Sequence, residues 1–432
     1  MTPEIPSDKL SPFRWPSVWK DPTLLRLLEG GPINCLMIDE SADSNGTVAE
    51  AARKAGLVVR QPSSLGAAPL AEVNWRSPAP VVALSGLVWP SIKVAPQDGN
   101  VQAAAGPTGA PWIDSNCWVV RLARVRAPGK SIWLEFAPPA DAVPPNAAAL
   151  SVAVADSSAA GARWIVSLGE KLSQGLAGGN TDAVKAWRGM LTTLRFFERH
   201  REWGAYEPWG SLGVLSTFAG DGDFMGKEVL NLAARRNLLY RILDRSAGSG
   251  QSLERLKALL YVDDERPSPE WKARLTAFGR GGGLLIVPRV LAVEFPGEKP
   301  LRCPVVGYEL LAFGKGSVAS PTRDWDDPFF LAADVHNLVS RRNDPVVLFN
   351  ARSLWEHYSV APGGRSELLQ LVGFTGRGSD SVSVAVVRPS ASAAMYVPEQ
   401  EAPTILKPEK VDGRLEYHLP SFSSYAALEF KS

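Results

Sequence analysis

The chain has 432 residues, which is enough for two to four domains with substantial cores. Its 46 basic and 45 acidic residues leave a formal net charge of +1, and no basic tract occurs, so we expect no nucleic-acid partner. No apolar run approaches the roughly 20 residues of a membrane span, so we expect no membrane insertion. The first residues lack a signal-peptide pattern. The protein is therefore expected in the cytoplasm, or in the periplasm or medium if a leader has been removed.

The cysteines and histidines do not form a recognisable ligand set. Cys35, Cys117 and Cys303 are far apart and show neither CxxC nor metal-ligand spacing. The four histidines likewise lack zinc-ligand spacing. We therefore expect no metal and no cofactor.

Residues 1–205 contain alternating strand-like and helix-like segments. Apolar runs at 33–39, 56–61, 80–86, 131–138 and 163–168 predict strands. Thr181–Arg201 predicts a long amphipathic helix, because Trp187, Met190 and Leu194 recur at helical spacing. This alternation predicts a (β/α)-barrel-like domain, shorter than the usual eight-unit TIM barrel. An open, doubly wound sheet is the competing interpretation.

Residues 206–342 are typical of a flavodoxin-like, parallel-sheet domain. The segment 213–288 reads strand, helix, strand, loop, strand, helix, strand. A helix is predicted over Asp326–Arg342, with Asp326 or Asp327 as its N-cap and Pro328 in its first turn.

Residues 343–432 show a period of two in place of the helical period. About seven short apolar or alternating runs are separated by Gly, Pro and Ser, a pattern typical of a β-sandwich. The predicted fold is thus multidomain, α/β plus β, with the three parts in this order.

The middle and end of the chain resemble β-galactosidases that have a barrel, a flavodoxin-like trimerisation domain and a C-terminal β domain. The stretches that carry this resemblance are GVLSTF…FMGKEVLNLAARRNLLYRIL, LLYVDDE…GGGLLIVP, GKGSVA and LPSFSSYAALEF. The chain resembles still more closely a group of uncharacterised soil-bacterial glycoside-hydrolase-like proteins, in which WPS, PTGAPWIDSN and ADSSAAGARWIVSL have counterparts. The resemblance implies carbohydrate as the substrate and a homo-oligomer, a trimer or a dimer.

One feature of the β-galactosidases is missing. Their acid/base residue lies in an Asn-Glu pair after a barrel strand, and residues 1–205 contain no Asn-Glu dipeptide. The family's catalytic residues are therefore not carried over to this chain. Candidates must come from carboxylates that follow predicted strands.

Glu135 and Asp114 are the predicted catalytic pair. Glu135 stands among Ile132, Trp133, Leu134 and Phe136, where burial would raise the pKa of its carboxyl as a general acid requires. An inward salt bridge or a surface position on an edge strand is the alternative for this residue. Which of the two carboxylates is the acid is open.

Asp114 stands in the loop GPTGAPWIDSNCW, whose aromatic and amide side chains suit a polyhydroxylated ligand. Trp112, Asn116 and Trp118 are predicted to bind substrate there. The alternative is that Asp114 or Ser115 caps the helix that follows.

Three further residues are predicted substrate contacts because they follow strands. Asp39 and Glu40 come after the run INCLMI, and Trp89 comes after the strand at 80–86. The alternatives are a turn for the carboxylates and core packing for the indole.

These observations predict a glycoside hydrolase that acts on a β-galactoside-like or plant-derived oligosaccharide with two carboxylates. The rival hypothesis is a non-catalytic carbohydrate-binding or scaffolding protein that kept the architecture. A third hypothesis, an amidotransferase-like enzyme, would need a nucleophile after Leu215 or Tyr261, and no cysteine stands at either place.

Overall fold

The structure is a computed structural model that describes residues 6–97, 100–103, 112–139, 148–220, 223–340, 343–351, 353–375, 381–387, 390, 392–411 and 414–431. Asp221, Arg341, Arg342 and the Gly/Pro-rich stretch before Trp112 lie outside these ranges. Among the described residues, no helix is both long enough and apolar enough to cross a membrane.

The N-terminal part contains eleven short strands and five helices. The strands are β1 Pro12–Arg14, β2 Cys35–Met37, β3 Val58–Arg60, β4 Ala68–Pro69, β5 Val81–Ser85, β6 Ser91–Ile92, β7 Val94–Gln97, β8 Asn100–Ala103, β9 Ile113–Asp114, β10 Ser131–Leu134 and β11 Arg163–Trp164. The helices are α1 Thr47–Lys54, α2 Cys117–Arg126, α3 Ala149–Ala159, α4 Glu170–Ala177 and α5 Thr181–Arg199.

Seven of these strands form one parallel array, which we call the N-terminal sheet. Its order is β3-β2-β1-β11-β10-β5-β4, and a parallel bridge between Phe13 and Val166 joins the two halves. From β1 to β3 and again from β4 to β11, the chain always moves to the neighbour on the same side. The chain thus winds in a single direction, whereas a doubly wound sheet reverses direction in its middle.

The connection between β3 and β4 forces the N-terminal sheet to curl. A flat sheet of seven strands would separate its two edge strands by about 29 Å. Residues 61–67 make this connection and include a 3-10 helix at Pro62–Leu65, so they span at most about 22 Å. The edges must therefore approach one another, although β3 and β4 do not pair among the described residues.

Alternate side chains of the sheet enter two different cores, as the two-residue period of a strand requires. One set fills a small inner cluster: Leu10, Cys35, Met37, Ala83, Trp133 and Ile165. The other set packs outward into the main core with the helices: Leu36, Val82, Leu84, Ile132, Leu134 and Trp164. The sheet is thus curled around a filled interior.

The middle part is a second, mostly parallel sheet flanked by helices. After the short strand β12 Glu207–Pro208 come β13 Leu212–Ser216, β14 Tyr240–Asp244, β15 Ala258–Tyr261, β16 Leu284–Ile286, β17 Tyr308–Phe313 and β18 Gly316–Pro321. The order is β14-β13-β15-β16-β18-β17, with β17 alone antiparallel. The helices are α6 Asp223–Arg235, α7 Pro269–Arg280 and α8 Pro328–Val339. Asp327 caps α8 by accepting from the Phe329 amide at 2.8 Å.

The C-terminal part consists of antiparallel strands in two sheets. They are β19 Val346–Phe349, β20 Leu354–Val360, β21 Ser366–Gly373, β22 Ser383–Val386, β23 Ala393–Tyr396, β24 Thr404–Leu406, β25 Glu409–Val411, β26 Arg414–His418 and β27 Tyr425–Lys431. The sheet orders are β12-β20-β21-β27-β23-β24 and β19-β22-β26-β25. Leu369 and Leu428 of the first share one core with Val384 and Tyr417 of the second. The expected mixture of parallel and antiparallel sheets is confirmed.

Helix α2 connects the three parts through buried arginines. Arg121 is 6% exposed and donates to Nδ1 of His357 at 2.8 Å and to the Glu356 carbonyl at 3.2 Å, both on β20. Burial and the neighbouring guanidinium hold the pKa of His357 well below its usual range, so this imidazole is a neutral acceptor. Arg126 forms a 2.5 Å ion pair with Asp244 of the middle sheet.

We predict that Trp133→Ala is among the most destabilising single substitutions in the N-terminal sheet. Trp133 is fully buried at the centre of the inner cluster, and removing its indole should cost about 3–5 kcal/mol. Trp118→Ala, on a partly buried side chain of α2, is the matched control and should cost less. If chemical unfolding showed the same loss of unfolding free energy in both variants, the result would contradict a filled interior.

Candidate active site

Polar side chains gather where the strands of the N-terminal sheet end. The alternation that points Trp133 and Met37 inward also places Arg14, Asp39, Arg60, Ser85, Glu135 and Ser167 on the inner side, one step beyond the inner cluster. We call this set of carboxyl ends the strand-end face. It is the side on which barrel enzymes place their active sites.

An ion pair between Arg14 and Glu135 spans the strand-end face from β1 to β10. The Glu135 side chain keeps 26% of its surface exposed, and that of Arg14 keeps 35%. The Glu135 amide donates to the Leu84 carbonyl at 2.8 Å, which fixes the backbone at the point where the side chain leaves the sheet. Glu135 is thus an ion-paired carboxylate, the inward salt bridge that was the alternative to an enclosed acid.

Trp89 packs beside the same point, on the outer side of the sheet. Its ring meets Phe136 at 5.9 Å and Trp164 at 5.7 Å, both edge-on, and these two rings stack at 5.2 Å. Trp89 remains partly buried and belongs to the margin of the main core. An indole held edge-on by these two rings has a fixed orientation beside Phe136.

Asn116 shapes the loop that carries Trp89. It is 1% exposed, its side-chain amide donates to the Val88 carbonyl at 2.9 Å, and its side-chain oxygen accepts from the Val88 amide at 3.2 Å. Both ends of the side chain are therefore engaged by backbone. Asn116 positions the strand-end loop, and a sugar hydroxyl would have to displace one of these bonds.

Asp156 of α3 anchors the start of α2. Its carboxylate accepts from the Asn116 amide at 2.9 Å and from the Ser115 hydroxyl, while that hydroxyl accepts from the Cys117 amide at 3.1 Å. Burial raises the pKa of Asp156 to about 6, against the opposing effect of these hydrogen bonds. Asn116 is the N-cap residue of α2, and the Ser115 hydroxyl before it accepts from the first helical amide.

Asp114 lies in the two-stranded ladder of β6 and β9, where it pairs with Ser91. Its Oδ1 accepts from the Trp112 indole at 3.2 Å and lies 3.4 Å from the Lys93 ammonium. The Arg235 guanidinium of α6 stacks on the Trp112 ring at 4.4 Å. One ring face of Trp112 is therefore occupied by a cation, which leaves this indole less open to a sugar than the sequence suggested.

In the structure, several of the predicted residues are linked to one another through intermediate residues. Trp89 contacts Phe136 beside Glu135, and Asn116 holds Val88 beside Trp89, two residues from Asp114. Glu40 accepts from the Gln61 side chain at 3.2 Å, which links the ends of β2 and β3. Trp118 lies on α2 and packs against the main core.

Three contacting residues were not among the sequence candidates. Arg14 was missed because the three-residue strand β1 is too short to give an alternating pattern. Lys93 was missed because its partner Asp114 lies on another strand, β9. Glu228 was missed because it belongs to the middle part, whereas the charges near it, Lys93 and Asp114, belong to the N-terminal part.

The strand ends of the middle sheet are closed by side-chain bonds. Asp263 accepts from the Ser216 hydroxyl at 2.5 Å and pairs with Arg245 at 2.6 Å. Phe218 follows β13 with φ of 48°, the strained turn where an amidotransferase-like enzyme would hold its nucleophile. Its phenyl ring is 2% exposed, so this turn offers no nucleophile.

A cavity of about 700 Å³ lies at the opposite end of the N-terminal sheet. Its lining includes Lys130, Arg163, Glu198, Arg201 and Trp203. Glu198 accepts from both arginines, and Lys130 donates to the Trp75 and Ser77 carbonyls, so each of these charges already has a partner. The cavity and the strand-end carboxylates are therefore on different faces of the N-terminal part.

The described residues also contain no group of three His, Cys, Asp or Glu side chains that could hold a metal ion.

No protein-family model matches the sequence, and no curated protein matches it. Several solved structures match the fold of this chain. A β-galactosidase from Bacillus circulans sp. alkalophilus matches with a TM-score of 0.51 at 10% identity, covering 73% of this chain and 57% of that one. An α-L-fucosidase isoenzyme 2 from Paenibacillus thiaminolyticus matches with a TM-score of 0.48 at 11% identity, covering 70% and 61%. A rhamnosidase from Novosphingobium sp. PP1Y matches with a TM-score of 0.42 at 12% identity, covering 91% and 39%.

These similarities concern the fold. At 10–12% identity they carry no residue-by-residue correspondence, and the β-galactosidase is the one of the three whose TM-score exceeds one half. This chain spans about three fifths of the length of the fucosidase and of the β-galactosidase, and less of the rhamnosidase. The chain therefore shares its fold with part of the larger β-galactosidase structure.

Asp156 should make stability depend on pH. Its folded-state pKa of about 6 lies above its ordinary value of 3.8, so its favourable contribution is full below about pH 4 and is lost as pH rises through 6. Asp156→Asn removes this titration. The difference in unfolding free energy between variant and wild type should shift in favour of the variant by up to about 3 kcal/mol from pH 4 to pH 7. A difference that stays constant with pH would contradict the assignment.

Proposed function

We propose that the protein is a glycoside hydrolase whose substrate binds on the strand-end face, with Asp114 and Glu135 as its acidic residues. The observation that carries this proposal is the Arg14–Glu135 ion pair at the carboxyl ends of the strands. The fold shared with the β-galactosidase supports it. Arg14 also has a buried Nε without a hydrogen-bond partner among the described residues, and such a donor can serve a hydroxyl group.

We further infer that residues 1–205 form a (β/α) barrel of seven strands that is open between β3 and β4. The single direction of winding and the short 61–67 connection support this interpretation. Residues 206–342 then form a flavodoxin-like domain and residues 343–432 a β-sandwich, with β12 as a strand that crosses to the sandwich.

We propose a β-galactoside-like or plant-derived oligosaccharide as the substrate. The similarity of the fold to that of a β-galactosidase supports this class. Trp89, fixed edge-on against Phe136, would border the sugar, and Asp39 and Glu40 would stand at the far side of the same face.

Substitution of the two acids should separate chemistry from folding. We predict that Glu135→Gln and Asp114→Asn each lower kcat/KM by at least about 100-fold on the chromogenic glycoside that the wild type cleaves best. The panel should include β-galactosides, α-L-fucosides and α-L-rhamnosides. Glu50→Gln, an exposed residue of α1, is the matched control and should keep full activity.

Two outcomes of these assays would contradict the role of Glu135 or the hydrolase proposal. Full activity in Glu135→Gln would remove that carboxylate from the mechanism. Failure of the wild type to cleave any glycoside of the panel would contradict the hydrolase proposal itself.

The second candidate is a non-catalytic carbohydrate-binding or scaffolding protein. The ion pairs favour it, because Glu135 is held by Arg14 and Asp114 by Lys93. Under this candidate, oligosaccharide binding in calorimetry would persist without turnover, and it would weaken in Arg14→Met.

We also propose a homo-oligomer, a trimer or a dimer, with no cofactor. The middle domain's resemblance to a trimerisation domain suggests this. Light scattering of the intact chain should give a multiple of 46.5 kDa, and a monomer would contradict the proposal.

A further inference from the structure

Each of the two acids of the proposed function lies beside a cation. Arg14 pairs with Glu135, and the Lys93 ammonium lies 3.4 Å from Asp114. Cleavage of a glycosidic bond also needs a carboxyl group that protonates the leaving oxygen. A third carboxyl group stands near Asp114, on the helix that packs against it.

The β6–β9 ladder presents one polar side. Ser91 pairs with Asp114, and the Lys93 amide donates to the Trp112 carbonyl at 2.8 Å. Residues two apart on a strand share a side, so Lys93, Trp112 and Asp114 point the same way. Ile113, between the last two, is 3% exposed in the main core. The polar side therefore faces away from the N-terminal core.

Helix α6 of the middle part lies against that polar side. Its Arg235 stacks on the Trp112 ring at 4.4 Å. Glu228 and Asn231 stand seven and four residues earlier, on the same face of the helix. Glu228 is half-buried and lies within electrostatic reach of both Lys93 and Asp114. Glu228 of the middle part and Asp114 of the N-terminal part thus have Lys93 as a common neighbouring charge.

The surroundings of these two carboxyl groups differ. Burial raises the pKa of Glu228, and the negative charge of Asp114 adds to this effect, while the Asn231 side chain and Lys93 oppose it. Asp114 instead receives the Trp112 N–H and the Lys93 ammonium. Pairs of carboxyls whose environments differ in this way divide into an acid and a base.

We propose that Glu228 is the general acid of this protein and that Asp114 is the carboxylate that works with it, at the junction of α6 with the β6–β9 ladder. The inference rests on the proposed glycoside-hydrolase function. The carboxyl of Glu228 gives its proton to the leaving-group oxygen as the bond from that oxygen to the anomeric carbon breaks. Asp114 assists the attack of water on that carbon and takes the water's proton, which returns to Glu228 through solvent. One water is consumed, and both carboxyl groups regain their starting states.

Leaving-group dependence tests this assignment. A phenyl glycoside needs protonation of its leaving oxygen, whereas a 2,4-dinitrophenyl glycoside of the same sugar leaves without it. We expect Glu228→Gln to lower kcat/KM at least about 100-fold on the phenyl glycoside and less than about 10-fold on the dinitrophenyl glycoside. Asp114→Asn should lower both about equally. Glu270 lies on α7, another helix that flanks the middle sheet. Glu270→Gln is the matched control and should change kcat/KM on neither glycoside.

The outcomes separate the inference from the proposed function. Wild-type cleavage together with equal losses on both substrates in Glu228→Gln, or with no loss, would overturn the role of Glu228 and leave the hydrolase standing. If the wild type cleaves no glycoside, the hydrolase proposal fails, and the acid role of Glu228 fails with it.

A titration that needs no substrate tests the carboxyl pair separately. In protein with ¹³C-labelled glutamate carboxyls, the signal that Glu228→Gln removes should titrate above the ordinary range of glutamate. Asp114→Asn should move that titration to lower pH, because it removes a neighbouring negative charge. A titration unchanged by Asp114→Asn would overturn the pairing, whatever the enzyme assays give.

Discussion

The anchoring of helix α2 by the buried carboxylate of Asp156 is the interaction on which most of this structure depends. It fixes Ser115 and Asn116 at the start of the helix, and through them Asp114 and the loop around Val88. From the same helix, Arg121 reaches β20 and Arg126 reaches the middle sheet. One buried acid therefore positions both the loop that carries a proposed catalytic residue and the contacts that join the three parts of the chain.

The second constraint is the short connection between β3 and β4. Because about 22 Å of chain must join strands that a flat sheet would hold about 29 Å apart, the strands curl around Trp133 and its neighbours. Strand β11 lies between β1 and β10, and the Arg14–Glu135 ion pair joins the carboxyl ends of these two strands across it. A cavity lies at the opposite end of the sheet, where Arg163, Glu198 and Arg201 are held in bonds to one another.

Sequence patterns predicted a mixture of parallel and antiparallel sheets but not the contacts between them. The seven period-two runs of the C-terminal part fall on β19, β21, β22, β23, β24, β26 and β27. Strand β20 was missed because Glu356 and His357 do not resemble buried strand residues. Glu356 and His357 are buried where Arg121, from helix α2 of the N-terminal part, donates to both of them. Glu135 could be selected because it follows a strand, and Asp114 because it stands in the loop before a helix. The basic side chains that pair with them could not be selected in this way. Arg14, Lys93 and Glu228 are distant in sequence or belong to strands too short to give a pattern, so only the three-dimensional arrangement pairs them.

The most direct test of the account is a crystal structure with a cationic iminosugar of galactose shape. Its ammonium group should lie beside Asp114 and Glu228, with the ring towards Glu135 on the strand-end face. An iminosugar bound instead in the cavity lined by Arg163 and Arg201, with the strand-end face empty, would contradict the central claim that carbohydrate is processed where the strands of the N-terminal sheet end.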